Sequence, residues 1–460
     1  MNAASAAAHP LAVAGAPVFG HPRGLFYLAF TELWERFSYY GMTALLTLYM
    51  VKQLLLPGHA ENVLGLDGLR HLFEFRGPMS NLAFASLIYG WYGGLVYFTP
   101  ILGGWVADRL LGAKRTVVLG ALLMSAGHLA MSFDLSFLIA LALLILGSGC
   151  LKGNISAQVG TLYPEAAASL RERGFTIFST GINIGAVVGP LATVTVAEIY
   201  GWHAGFALAA GLMLFALMIY LAGQRYLPGA PATRAAVPGR APLTPTERRR
   251  TLALVAVIIL NIPVSITYPM IWSIGIVWID SHVALGTGFG TVPAGWFNSL
   301  DSFGSIIVAA PLVAYWAALA RRGAEPASLT KIAIGSAIMG LSILLLAAGS
   351  LLPGADGKVS VWWAIAAYLG SGLAFMWYWP VTLSTLSALA PATIKSTLMG
   401  SAFLALFLGT VIMGWVGSFY DQMSPAAFWT LDAAIAFAGS LITWLLRKPL
   451  ERRLGVQMSD

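Results

Sequence analysis

The sequence predicts an all-α membrane protein of twelve spanning helices in two sets of six. Three observations carry this: its apolarity, its spacing of long apolar runs, and the placement of its basic residues. Hydrophobic residues make up 58% of the 460 and charged residues only 10%, against about 25% charged in a soluble globular chain. Mean hydropathy is +0.78. So little charge cannot cover a water-soluble body of this size, so the surroundings must themselves be apolar.

A spanning helix needs roughly 20 mostly apolar residues. Such runs are expected at about 25–50, 81–107, 115–133, 136–162, 174–198, 203–223, 251–279, 293–319, 330–351, 360–388, 397–419 and 426–446. Their Gly and Pro are tolerated in spanning helices whose freed backbone groups find partners. A β-barrel would instead show alternating segments of about ten residues, and none appear. Lys and Arg concentrate in cytoplasmic loops. With both termini inside, twenty of the 26 basic residues fall on the inner side and four on the outer: Lys52, Arg70, Arg76 and Lys358. The remaining two, Arg36 and Lys152, lie within helices. This asymmetry fixes the expected orientation in a bacterial inner membrane. It also accounts for the net charge of +7 without a nucleic-acid partner.

The expected organisation is a cytoplasmic tail (1–24), a first six-helix bundle (25–224), a linker (225–250), a second bundle (251–447) and a cytoplasmic tail (448–460). The linker, RYLPGAPATRAAVPGRAPLTPTERRR, is rich in Pro, Ala and Arg. Two such bundles rocking around a midplane site is a recurrent transport layout. The first twenty residues lack a basic segment before an apolar core and do not read as a cleaved signal. The long outer segment 51–80 reads as either a short amphipathic cover over the entrance or an irregular loop, and the loop is expected. A single cysteine, Cys150, allows neither an intrachain disulfide nor a zinc site and reads as packing, as does His128. No metal-spaced His or Cys group, nucleophile motif or phosphate loop is present, so neither an enzyme nor a cofactor is expected.

Two helices carry charge where it is expensive. In TELWERFSYYGM, Glu32, Glu35, Arg36, Tyr39 and Tyr40 recur at i, i+3, i+4, i+7 and i+8, which puts all five on one helical face. Intramembrane ionisable residues usually face a partner or a watery path and mark ion or substrate routes. A structural Glu32–Arg36 pair alone would not require Glu35 and two tyrosines. In GSGCLKGNISAQVG, Lys152 sits deep in an apolar run, too far from the basic loop to snorkel. Glu32 and Glu35 are its available partners. A lysine between two carboxylates can respond to protonation of either.

These stretches resemble a known family. ELWERFSYYG matches the ExxERFxYYG signature of the proton-dependent oligopeptide transporters, the peptide transporter family of the major facilitator superfamily. LKGNIS is similar to that family's LKPNIS, FTIFSTGINIGAVVGP to its fifth-helix stretch, and GGWVADRLLGAKR to the facilitator motif after helix two. The resemblance implies the major facilitator fold and proton-driven symport of di- or tripeptides by a monomer, with the proton gradient as driving force. It assigns Glu32, Glu35, Arg36 and Lys152 to proton coupling. It assigns Arg36, Tyr39, Tyr40, Tyr97, Lys152 and Asn183 to substrate contact, and Asp108 and Arg109 to gating. The charged, short linker leaves no room for the two extra helices that bacterial members often insert.

The C-terminal half departs from the family. Thr43 stands where a second arginine is usual, and Pro269, beside Met270, where its glutamate partner would be. Phe375 takes the place of the tenth-helix glutamate. An aromatic wall is expected there instead, from Tyr268, Trp272, Phe375, Trp377, Tyr378 and Trp379. Asp301 replaces a common asparagine and is expected in the middle of helix eight, as a candidate for protonation, cation binding or local hydrogen bonding. These departures leave a second reading open: the same fold carrying a modified peptide, a small carboxylate or another anion.

Overall fold

The computed structural model describes residues 16–164, 167–228, 243–288, 290–391 and 393–455. Most of the linker expectation, including Arg234 and Arg240, lies outside the described residues, as do the first fifteen residues of the N-terminal tail and the last five of the C-terminal one.

The helices are α1 Arg23–Tyr49, α2 Asn81–Leu111, α3 Ala113–Ala130, α4 Phe137–Thr161, α5 Ala168–Tyr200 and α6 Trp202–Gly223. They continue as α7 Pro245–His282, α8 Asn298–Arg321, α9 Ser328–Leu351, α10 Val361–Leu389, α11 Lys395–Gly417 and α12 Pro425–Leu454. Among the described residues, nine are long and apolar enough to cross a membrane by composition. The other three complete the twelve. These are α1, with two glutamates and an arginine at its centre; α3, with Lys114, Arg115 and His128; and α10, rich in Trp and Tyr.

Local chemistry sets several ends and bends. Thr244 caps α7 by accepting the Glu247 backbone N–H at 3.2 Å, while Glu247 reaches back to the Thr244 backbone N–H at 2.9 Å, with Pro245 in the first turn. This reciprocal cap satisfies donors that the helix leaves open. Pro269 inside α7 removes one ladder bond, and the following turn, Ile271–Gly275, is π-helical. Such bulges recur at functional sites, and this one carries Trp272 and Ser273. The α12 helix runs beyond its apolar stretch through Pro449 to Gly455, which ends it at φ 73°.

One expectation is corrected. Segment 51–80 is not simply irregular, because Leu66–Phe73 forms a short helix. Its apolar residues, Leu66, Leu69 and Phe73, recur at helical spacing; Leu66 is buried and the other two are half-buried. The connection between α7 and α8 holds a small hairpin pairing Gly286–Thr287 with Gly290–Thr291.

Helices approach closely where small residues permit it. Gly181, Gly185 and Gly189 of α5 lie along α1: a Cβ on Gly185 would sit 2.5 Å from the Leu33 carbonyl oxygen and 2.9 Å from Arg36 Cβ. Between the halves, α2 crosses α11 at Gly90 and Gly414, where a Cβ on Gly90 would come within 2.6 Å of Gly414 Cα. Polar contacts also join the halves. Thr47 Oγ1 meets Ser273 Oγ at 3.1 Å, Lys52 Nζ meets Asp280 Oδ1 at 2.6 Å, and Ser80 donates to Asp421. Ser86 donates to Gly414 O at 3.0 Å, Trp296 to Thr195 at 3.2 Å and Ser299 to Val187 O at 2.7 Å. All of these lie on the side away from the end of α6 and the start of α7. Asn183, one turn from Val187 towards the linker, is exposed.

Candidate functional site

The five residues of the α1 face stay together in the structure. Glu32, Glu35, Arg36 and Tyr39 are buried and Tyr40 is half-buried. Arg36 Nε lies 3.1 Å from Glu32 Oε1 and is also paired with Glu35. One guanidinium therefore serves two carboxylates away from solvent. A buried charge is tolerable only with partners, and removing one partner typically costs about 3–5 kcal/mol. The α1–α5 glycine contact holds this face in place, since Gly185 abuts Leu33 and Arg36.

Lys152, on α4, takes a position that spacing alone did not give. Among the described residues it has no carboxylate within ion-pair distance. Its Nζ stands 4.5 Å from the Tyr39 ring centroid and 5.4 Å from that of Tyr97. Cation–π contacts of this kind contribute about 0.5–2 kcal/mol. Glu32, Glu35 and Arg36 remain near enough for their charges to be felt at Lys152. The expected four-residue group is thus an ion-paired triad with a half-buried lysine beside it, separated by aromatic rings.

The C-terminal half-site centres on Asp301. It lies in the first turn of α8 rather than mid-helix, because the preceding residues Ala294–Phe297 form a 3₁₀ turn and the regular helix starts at Asn298. A carboxylate there is favoured by the helix dipole. Asp301 is 0% exposed. Its Oδ2 accepts the Tyr268 hydroxyl at 2.6 Å and its Oδ1 accepts the Ser302 hydroxyl at 3.4 Å. The Trp272 indole N–H approaches the same carboxylate without reaching hydrogen-bond geometry. Gly372 of α10 makes room for this turn: a Cβ there would sit 2.1 Å from the Asp301 carbonyl oxygen.

The aromatic wall divides. Tyr268 stacks on Phe375 at 5.5 Å, meets the edge of Trp272 at 4.8 Å and lies 6.4 Å from Tyr378, and Phe375 lies 5.8 Å from Tyr378. Across the interface, Trp272 meets Tyr40 at 6.3 Å. Trp377 and Trp379 are not in this group. Trp377 is two residues from Phe375, hence on another face of a 3.6-residue helix. It packs on Trp316 at 5.3 Å, beside Lys331 and its partner Glu325. Trp379 packs on Phe403 of α11 at 5.8 Å.

Asp108 and Arg109 occupy the last turn of α2, both exposed. Nearby, Lys114 donates to the Gln224 and Leu227 carbonyl oxygens at 3.0 and 2.9 Å, tying the start of α3 to the end of α6. Tyr89 and Tyr92, buried on α2, were missed in the sequence. Tyr92 is close enough to feel the charges of Glu35 and Arg36, and Tyr89 that of Asp301. With Tyr97 they recur at i, i+3 and i+8, a periodicity that could have flagged them.

Comparison with known proteins identifies the architecture. The POT family profile (PTR2) matches residues 114–240 and 232–430. A di-/tripeptide transporter of Lactococcus lactis subsp. cremoris is 31% identical over 512 residues, covering 95% of this chain and 97% of that protein. A crystal structure of a peptide transporter POT in complex with sulfate superposes with a TM-score of 0.83 at 29% identity, covering 95% of this chain and 97% of that one. A POT family transporter in complex with 5-aminolevulinic acid superposes with a TM-score of 0.80 at 25% identity, covering 94% and 97%. With a near-full-length relative and a family match over most of its length, this multi-pass membrane chain belongs to the POT family.

Proposed function

We propose that this chain is a proton-coupled symporter that imports di- and tripeptides by alternating access, working as a monomer with the linker and both termini on the cytoplasmic side. The observation that carries the reading is the buried Glu32–Arg36–Glu35 triad on α1, beside Lys152 and opposite Asp301. Ionised, these five residues hold three negative charges and two positive ones. One negative charge is left over in a membrane interior, where uncompensated charge is costly. A zwitterionic peptide is neutral and leaves that excess unchanged, so one proton balances the charge of the loaded site. A proton shifts the rocking equilibrium only if it binds the two states differently. Arg36 is the group that gains or loses a partner as either glutamate is protonated.

The names of the relatives support the peptide substrate: a di-/tripeptide transporter at 31% identity and a peptide transporter at 29%. The 5-aminolevulinic acid complex of a third relative supports a ligand bearing both an amine and a carboxylate. The polar contacts that close the side away from the linker support an inward-open state, with Asn183, Tyr97 and Lys152 lining its N-terminal wall. Asp108 and Arg109 brace the cytoplasmic end of α2. A second reading, a modified or amine-poor substrate, is favoured by one observation: Asp301 is buried behind Tyr268 rather than offered to the cavity.

The test is uptake by the purified protein in liposomes with an imposed proton gradient and a peptide panel. Accumulation of dipeptides that collapses with a protonophore is expected. Uptake indifferent to the gradient, or no dipeptide uptake at all, overturns the reading.

A further inference from the structure

This inference rests on the peptide reading and concerns the end of the ligand that bears the amine. Glu32 and Glu35 are engaged by Arg36. Asp301 is 0% exposed, and its two oxygens accept from Tyr268 and Ser302. Among the described residues of the C-terminal half-site, then, no carboxylate oxygen is presented to a ligand N–H. What the half-site presents is ring. Tyr268, Trp272 and Phe375 are half-buried, as is Tyr40 across the interface, with centroids 4.8 to 6.3 Å apart in successive contact.

Such rings attract a cation through their electron-rich faces. Tyr268 donates its hydroxyl proton to a buried carboxylate, and hydrogen bonding of this kind polarises the donor, leaving the ring richer still. The Asp301 charge adds attraction through space, stronger in a low-dielectric setting than in water. None of these forces requires an N–H donor on the ligand. A primary ammonium loses its water on entry and finds no acceptor to replace it, which is costly. An alkylated ammonium is less hydrated and gives up less.

We propose that this half-site is an aromatic receptor for ammonium groups that does not require N–H donors, so that N-methylated and N-trimethylated peptides, and trimethylammonium carboxylates, are ligands of this transporter. The rings receive the cation, and Arg36 and Lys152 receive the carboxylate. Asp301 acts through Tyr268 as a positioning and charge-supplying residue.

Isothermal titration of the full-length protein with a matched series tests this. The series is Ala-Ala, N-methyl-Ala-Ala, N,N,N-trimethyl-Ala-Ala, N-acetyl-Ala-Ala and γ-trimethylammonium butyrate. Trimethylation should change affinity by less than about threefold, while acetylation, which removes the charge, should weaken it by about three- to tenfold, the range of a cation–π contribution. Phe375→Ala should weaken the trimethylated peptide by about tenfold and leave the acetylated one within about twofold. If Ala-Ala binds and trimethylation weakens it more than about thirtyfold, an N–H acceptor holds the amine and the proposal fails. If the trimethylammonium carboxylate binds and no dipeptide does, the receptor stands and the peptide reading falls. If none of the series binds, both fall.

Discussion

In the N-terminal half, two carboxylates share one guanidinium on one face of α1, with a lysine held over tyrosine rings beside them. In the C-terminal half-site, the carboxylate of Asp301 lies at the start of α8, with hydroxyl groups on both oxygens and, among the described residues, no cation in ion-pair contact, behind stacked aromatic rings. The first arrangement can be switched by a single proton, because Arg36 is shared. The second changes little in geometry on protonation, because Tyr268 and Ser302 can still bond to it. On the function proposed above, the N-terminal half responds to protons and the C-terminal half receives an apolar or cationic group.

The sharpest way to break this comparison is Glu35→Gln. The substitution keeps the shape and removes one of the charges on Arg36. Accumulation driven by a proton gradient should fall to background, while counterflow exchange of peptide continues in part. The substitution leaves Arg36 paired with Glu32 and removes the negative charge that the ionised site holds in excess, so a proton no longer has a site there by which to favour one state over the other. Undiminished accumulation by the variant in liposomes removes Glu35 from coupling and leaves Glu32 as the acid to examine.

Each half positions its acid with a glycine, and that parallel can be measured. A Cβ on Gly185 would strike the Leu33 carbonyl oxygen at 2.5 Å, and one on Gly372 the Asp301 carbonyl oxygen at 2.1 Å. Backbone oxygens cannot swing aside as side chains do. Gly185→Val and Gly372→Val should each lower stability by about 1–3 kcal/mol, the usual cost of overpacking, read as a drop in unfolding temperature in detergent. Gly372→Val should in addition change the fluorescence of Trp272 beside Asp301. Unaltered melting of either variant shows that the helices can separate there without cost.

How much of this was legible beforehand depends on whether a contact lies within one helix or between two. The α1 face was legible because Glu32, Glu35, Arg36, Tyr39 and Tyr40 follow the helical period, and charge in an apolar run needs a reason. The position of Lys152 was not, because it depends on how α4 meets α1 and α2, which the sequence does not encode locally. Trp377 was grouped with Phe375 on composition, although a two-residue offset already placed it on another face. Asp301 was placed mid-helix because the apolar run starts at Pro293, and only the 3₁₀ turn before Asn298 moves it to the first turn. The loss of charge at Thr43 and Pro269 was legible; the Thr47–Ser273 and Lys52–Asp280 contacts between the same two helices were not, since their partners are 226 and 228 residues apart.

Asp301→Asn sharpens the contrast between charge and shape. Asparagine keeps an oxygen for the Tyr268 hydroxyl and removes the charge behind the rings. Affinity for a free or N-methylated dipeptide should fall by about tenfold, ~1.4 kcal/mol, while an N-acetylated one is unaffected. The proton dependence set by α1 should survive, because the triad is untouched. If proton-driven accumulation is lost instead, Asp301 is a coupling acid and the division of tasks between the halves is wrong.

The smallest effect is expected where the halves meet at the surface. Lys52 and Asp280 form an ion pair between the π-helical turn Met50–Leu54 that follows α1 and the last turn of α7, with side chains 46% and 24% exposed. Exposed pairs contribute about 0–1 kcal/mol and are screened by salt. The pair joins the two halves, so on the proposed rocking mechanism its contribution bears on the state in which this side is shut. Lys52→Ala or Asp280→Ala should therefore shift the population towards the outward-open form by less than about fivefold, with transport rates changed by less than that. The reading is solvent accessibility of a cysteine placed at Thr47, one turn further in, labelled from outside at low and high ionic strength. Accessibility should rise in each single variant at low salt, converge with the parent at high salt, and return to the parent value in the charge-swapped double variant Lys52→Asp with Asp280→Lys. Equal accessibility in the parent and in Lys52→Ala at low salt means that Thr47, Ser273 and the Gly90–Gly414 crossing hold the outer side alone.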